Sequence, residues 1–139
     1  MRDRVIASAL ALLGTPFMHQ GRSPGLAIDC AGVLVCIGRA LGLVAPDFDV
    51  TGYPPTPDGV SLKRICDAML TPAELAPGGV ALIAWRFGPP QHLGVVVPMD
   101  DGLGLVHAEN LRRHQVVVER LRFTRAMRLV AAYRLPGVH

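Results

Sequence analysis

Two hydrophobic rhythms divide this chain, and their order limits what it can fold into. Up to Leu70 the apolar residues recur at helical spacing. Val5, Ile6, Ala9, Leu10, Leu12 and Leu13 predict a first amphipathic helix that ends at Gly14. A second helix is expected from Cys30 to about Leu41 and Gly42, and a third from Ser61 to Leu70. Thr71 to Leu75 is expected to begin a short helical turn, because proline suits the first helical position. From Val80 the rhythm becomes alternating, with strands expected at Val80 to Trp85, His92 to Val97, Gly104 to Ala108, Gln115 to Glu119 and Leu129 to Arg134. Helices first and consecutive strands second predict an α+β fold, with N-terminal helices packed on an antiparallel sheet of about five strands.

Length and composition fit one domain over residues 1–139, near the commonest domain size. Half of the residues are hydrophobic and 18% are charged, which excludes a disordered chain. The longest apolar stretches are broken by Asp29 and Arg39 and are too short to cross a bilayer, so no membrane insertion is expected. Met1-Arg2-Asp3-Arg4 leads into an amphipathic pattern with no small-residue cleavage site, so the expectation is synthesis in the cytoplasm without a signal peptide. The loop from Ala45 to Gly59 is rich in proline, glycine and aspartate, and no repeat or low-complexity tract is visible.

Asp29-Cys30-Ala31-Gly32 introduces the second helix. Turn-forming residues from Gly14-Thr15-Pro16-Phe17 through Ser23-Pro24-Gly25 precede it and define a sharp entry, so Cys30 is placed at a helix start. There the positive end of the helix dipole favours thiolate over thiol, which is one way a cysteine becomes a nucleophile. The plain alternative is a small buried core residue.

Two histidines supply a possible base. His92 opens the alternating run after Gln91, and His107 closes Leu103 to Ala108 beyond Pro98-Met99-Asp100-Asp101. Read as a hairpin with a four-residue loop, Val97 pairs with Gly102 and His92 stands opposite His107 on one face. An odd-length loop would break that pairing, because a one-residue slip turns every side chain over. In the even register one ring can take the thiol proton while the other orients it.

Gly14-Thr15-Pro16-Phe17, Asp29-Cys30-Ala31-Gly32, His92-Leu93-Gly94-Val95-Val96 and Val106-His107-Ala108, in that order, resemble the NlpC-type cysteine peptidases of bacterial cell walls, and in particular their phage-tail members. The resemblance implies a papain-like arrangement, with Cys30 as nucleophile, His92 as general base and His107 as the residue that orients His92. It implies hydrolysis of peptidoglycan stem peptides, commonly between D-glutamate and a diamino acid, no cofactor, and action at the cell wall as a tail component among other tail proteins. Asp29 matches a position that in some members receives the free amine of a trimmed stem peptide, although an aspartate before a helix is also a good N-cap. Phe17 stands where the family usually has tyrosine and Ala31 where it usually has serine, both at substrate-binding positions. Each change removes a hydroxyl, which implies altered substrate contacts, lower activity or a lapsed enzyme. A structural tail-tip protein and an amidase or acyltransferase on the same fold are the alternatives.

The remaining signals exclude other classes. Three cysteines without paired spacing argue against a disulfide framework, and Cys36 and Cys66 read as core residues. No Cys-x-x-Cys or His-x-x-x-His spacing occurs, so no metal is expected. Net charge is +3, and Arg112, Arg113, Arg120, Arg122, Arg125 and Arg128 crowd the C-terminal third. With few aromatics and no nucleic-acid motif, that cluster reads as a solvated or protein-docking face that can also steer anionic polymers. His19 precedes the nucleophile in a loop, and His114 and His139 read as turn and terminal residues.

Overall fold

The computed structural model describes residues 1–86, 88 and 92–139; Gln91, placed by the sequence at the head of an alternating run, lies outside them. Three helices and a sheet form in the expected order: α1 (Arg2–Leu10), α2 (Cys30–Ala40) and α3 (Ser61–Met69), then the strands. A small two-stranded sheet, β1 (Arg22–Ser23) and β2 (Ala27–Ile28), sits just before α2. The main sheet is antiparallel and six-stranded, in the order β3 (Thr71–Pro72), β8 (Met127–Arg134), β4 (Val80–Trp85), β5 (His92–Met99), β6 (Gly102–Glu109), β7 (Gln115–Arg120).

Two sequence expectations are corrected. Thr71 to Leu75 does not start a helical turn. Thr71 and Pro72 pair with Arg134 and Tyr133 as the sixth strand, an edge position where the missing proline N–H leaves no ladder bond unmade. The β5–β6 hairpin turns over two residues, Asp100 and Asp101, because Met99 pairs with Gly102 and Pro98 with Leu103. His107 therefore stands opposite Gly94, and His92 is its diagonal neighbour. The register differs from the expected one by two residues, an even number, so both rings stay on one face.

Alternation gives the sheet two different faces. Val80, Leu82, Leu93, Val95, Val97, Val106, Ala108 and Val116 point to the helices and pack with Val5 and Ala9 of α1, Val33 and Ile37 of α2 and Leu62 of α3. Each valine, leucine or isoleucine among them contributes roughly 1.5–3 kcal/mol, so this face holds the domain together. Ala81, Ile83, Val96, Leu105 and Met127 make a smaller cluster on the outer face, flanked by Trp85 and Leu121.

The segment from Gly14 to Met18 ties the two halves. Its backbone bonds β7 on one side, with Gly14 N donating to Val116 O at 2.9 Å and Phe17 N to His114 O at 2.8 Å. On the other side Ile28 N donates to Pro16 O at 3.0 Å and Met18 N to Ile28 O at 3.0 Å. The β7 edge is thus covered, and the chain is delivered to the head of α2.

Candidate active site

Asp29 starts α2 as an N-cap in extended backbone, its Oδ1 accepting from Gly32 N at 2.8 Å. The turn before it comes very close. A Cβ on Gly32 would lie 2.4 Å from Gly21 O, so only glycine lets the helix head meet that loop. Around the 2%-exposed Asp29 carboxylate, Arg22 Nη1 donates to Oδ1 at 2.8 Å, while Gln20 N and the Tyr53 hydroxyl donate to Oδ2 at 2.7 and 2.6 Å. A carboxylate offers about four lone-pair sites, and four donors fill them. Receiving a ligand amine at Asp29, as the resemblance implies, requires one of these donors to leave.

Cys30 opens α2 half-buried and borders a cleft formed with Phe17, His19, Asp29, Tyr53, Ala108 and Asn110. His19, in the loop, stacks edge-on against Tyr53 at 5.4 Å, so it belongs to the cleft wall. Ala31 is 3% exposed and borders a separate apolar cavity with Leu34, Leu43 and Ile65, on the other side of the helix head.

The thiolate-favouring setting expected at this helix start is opposed by burial. Burial, followed by the Asp29 charge, pushes the Cys30 thiol up to about 12, against the opposing pull of the Ala31 and Cys30 N–H groups. The reason is one of magnitude. A helix terminus supplies about 0.3–1 kcal/mol, less than one pKa unit, which desolvation outweighs. Among the described residues the Cys30 sulfur has no side-chain hydrogen-bond partner. Burial also raises the Cys36 and Cys66 thiols, the latter to about 12.

The histidines form a buried polar chain in the sheet. His92 Nδ1 lies 3.3 Å from His107 Nδ1, with the rings nearly perpendicular, and His107 Nε2 lies 3.1 Å from Glu119 Oε1. His92 is 3% and His107 0% exposed, and Trp85 meets the His92 ring edge-on at 5.5 Å. Gly94 makes the space: a Cβ there would fall 2.1 Å from Val106 O and 2.9 Å from His107 Cβ. Burial first, then His107, lowers His92 to about 4, so its ring is neutral at pH 7. The bond from His107 holds Glu119 below the usual carboxylate range.

The structure joins His92 to His107, and Cys30 borders a different cleft. Alternation turns both rings toward the outer face, where His92 and Glu119 border a cleft with Trp85, Glu109 and Arg112, whereas Cys30 packs with the helix-face core. Thiol and rings share one end of the sheet: Cys30 borders Ala108 and Asn110, just beyond His107, and His92 is the first residue of β5. Glu119, Tyr53 and Arg22 escaped the sequence reading. Glu119 lies diagonal to His107, whose direct partner is Val117, a relation visible only once the register is known. Among the described residues no group of three or more His, Cys, Asp or Glu is placed to hold a metal ion. Among the described residues no helix is long and apolar enough to cross a membrane.

No protein-family model matches the sequence, and no curated protein does. Solved structures do. NlpC1 from Trichomonas vaginalis superposes with a TM-score of 0.65 at 16% identity over 97% of this chain, which spans 44% of that one. The NlpC/p60 domain of the peptidoglycan hydrolase SagA gives 0.58 at 14% identity, covering 97% of this chain and 99% of the domain. An N-acetylmuramoyl-L-alanine amidase from Bacteroides uniformis gives 0.59 at 13% identity, covering 98% and 99%. With its helices on one face of an antiparallel sheet and its cysteine at a helix head, the chain therefore has the α+β, papain-like fold of NlpC/p60 domains.

Proposed function

We propose that this protein is a peptidoglycan hydrolase of the cysteine peptidase type, cutting stem peptides between D-glutamate and a diamino acid as part of a phage or phage-like tail. The observation that carries the reading is the buried, neutral His92 hydrogen-bonded to His107, at the end of the sheet where α2 presents Cys30. The fold shared with a peptidoglycan hydrolase domain supports the substrate class, and the motif set supports the tail assignment.

In this reading His92 takes the Cys30 proton, and the sulfur attacks the substrate carbonyl carbon. The oxyanion is received by backbone N–H groups at the head of α2. His92 then gives the proton to the departing amine. Water, deprotonated by the same ring, attacks the thioester and releases the acid and the thiol. In the resting protein burial raises the Cys30 thiol and lowers His92, so both groups rest in their neutral forms at pH 7. Catalytic hydrogen bonds often tighten only when substrate is bound, and the reading requires the thiol and His92 to meet at that stage.

One observation favours a second reading. A raised thiol without a side-chain partner, beside Phe17 and Ala31, fits a structural tail-tip protein that has kept the fold without the chemistry. Mass spectrometry of peptidoglycan digested by the native protein and by Cys30→Ala decides. A new N-terminus on the diamino acid, absent with Cys30→Ala, is the expected result. A free L-alanine amine with intact muramic acid would replace peptidase by amidase, and no cleavage by either protein would leave the structural reading.

A further inference from the structure

Glu119 belongs to no motif, yet its carboxylate closes the histidine chain from behind. It accepts from His107 Nε2 at 3.1 Å, while His107 Nδ1 faces His92 Nδ1 at 3.3 Å. An ionised carboxylate is an acceptor only, so the nitrogen that faces it must carry a hydrogen. A ring that spends its one hydrogen on Glu119 offers a lone pair at Nδ1. The Nδ1 to Nδ1 contact then needs its hydrogen from His92, whose own lone pair is left at Nε2. We propose that Glu119 is a positioning residue that sets the tautomers of both buried rings, fixing His92 with hydrogen on Nδ1 and its basic lone pair on Nε2.

The surroundings favour this direction of control. His107 is fully buried between β5 and β7, so its ring has little freedom to choose another partner. Glu119 is partly exposed, its side chain at 29%, and can keep its charge through contact with water. Its carboxyl group lies on the same face as His107, since Glu119 is two residues beyond Val117, the partner of His107. Other charged groups on this side are Glu109, committed to the Leu111, Arg112 and Arg113 N–H groups, and the two arginines themselves. The proposal rests on the hydrolase reading for its effect on turnover, but the tautomers exist without substrate.

Long-range ¹H–¹⁵N correlation on histidine-labelled protein reads each ring directly. The native protein is expected to show His107 with hydrogen on Nε2 and His92 with hydrogen on Nδ1. Glu119→Ala should release both rings into mixed tautomers, and Glu119→Gln, whose amide oxygen still accepts, should return them to the native pattern. In hydrolysis assays Glu119→Ala should lower kcat by on the order of 10–100-fold with little change in KM, part of the 10²–10⁴ that proton transfer supplies. Unchanged tautomers in Glu119→Ala would overturn the proposal, as would a native His107 with hydrogen on both nitrogens. The native pattern and its loss in Glu119→Ala, found in a protein that hydrolyses nothing, would support Glu119's role while refuting the hydrolase reading.

Discussion

Two buried polar groups flank the same end of this fold, and they are built differently. The Asp29 carboxylate is closed: Gln20, Arg22, Gly32 and Tyr53 occupy its lone pairs, and the donors come from the loops around one helix head. The histidine chain has a direction. Glu119 anchors one ring, that ring holds the next, and His92 borders a cleft. A carboxylate with every site filled organises structure, whereas a chain of linked imidazoles is arranged to move a proton. The first region places Cys30, and the second prepares the group that would serve it.

The largest effect is expected at the closed group. Asp29→Ala takes the acceptor from Gln20 N, Gly32 N and the Tyr53 hydroxyl and removes one of the two carboxylates paired with Arg22, Asp49 being the other, which should cost about 3–5 kcal/mol, read as a drop in the urea midpoint. A loss below about 1 kcal/mol would show that the network organises nothing.

Acid should weaken the histidine chain next. The His92 pKa is about 4 folded against about 6.5 unfolded, so the unfolded state binds more protons between those values. Stability is complete above about pH 6.5 and falls as pH drops toward 4, by at most about 3 kcal/mol. Glu119 acts in the same direction, so the check is a comparison of the native protein with His92→Asn at pH 7 and pH 4.5. Equal pH dependence in both would remove His92 as the source.

Gly94→Ala tests the space behind the rings. Its Cβ would overlap Val106 O and crowd His107, which should cost about 1–3 kcal/mol and disturb the ring contact more than the Asp29 network. Histidine resonances and the urea midpoint together show whether the two regions respond separately.

The smallest effect belongs to Phe17, which borders the Cys30 cleft without touching either polar group through a hydroxyl. Phe17→Tyr should add a bond to a short stem peptide worth about 0.5–1.5 kcal/mol, lowering KM by roughly 2- to 10-fold. If it instead creates hydrolysis in a silent protein, Phe17 marks a lapsed site.

Local features were legible in the sequence and long-range ones were not. The helices at Cys30 and Ser61 and the strands from Val80 onward follow from short-range periodicity. The shared face of His92 and His107 survived a misjudged turn, because parity depends only on whether the slip is even. Pro72 misled because the same fixed φ suits a helix start and an edge strand, and only pairing with Tyr133 decides between them. Tyr53 sits 24 residues from Asp29 in a proline-rich loop, and Glu119 finds His107 across a strand pair, so neither leaves a sequence spacing to read. At Cys30 the helix dipole is visible in sequence and the opposing desolvation is not.

The account stands on His92 serving Cys30, and the reactivity of that sulfur measures it without substrate. Alkylation by iodoacetamide, followed by peptide mapping between pH 5 and 10 as an approximate range spanning the imidazole and thiol titrations, gives the rate at Cys30, Cys36 and Cys66 separately. Cys30, the most exposed of the three, should react fastest near neutral pH, and His92→Ala should slow it by about tenfold or more while leaving Cys36 and Cys66 unchanged. Identical Cys30 profiles in the two proteins would contradict the account.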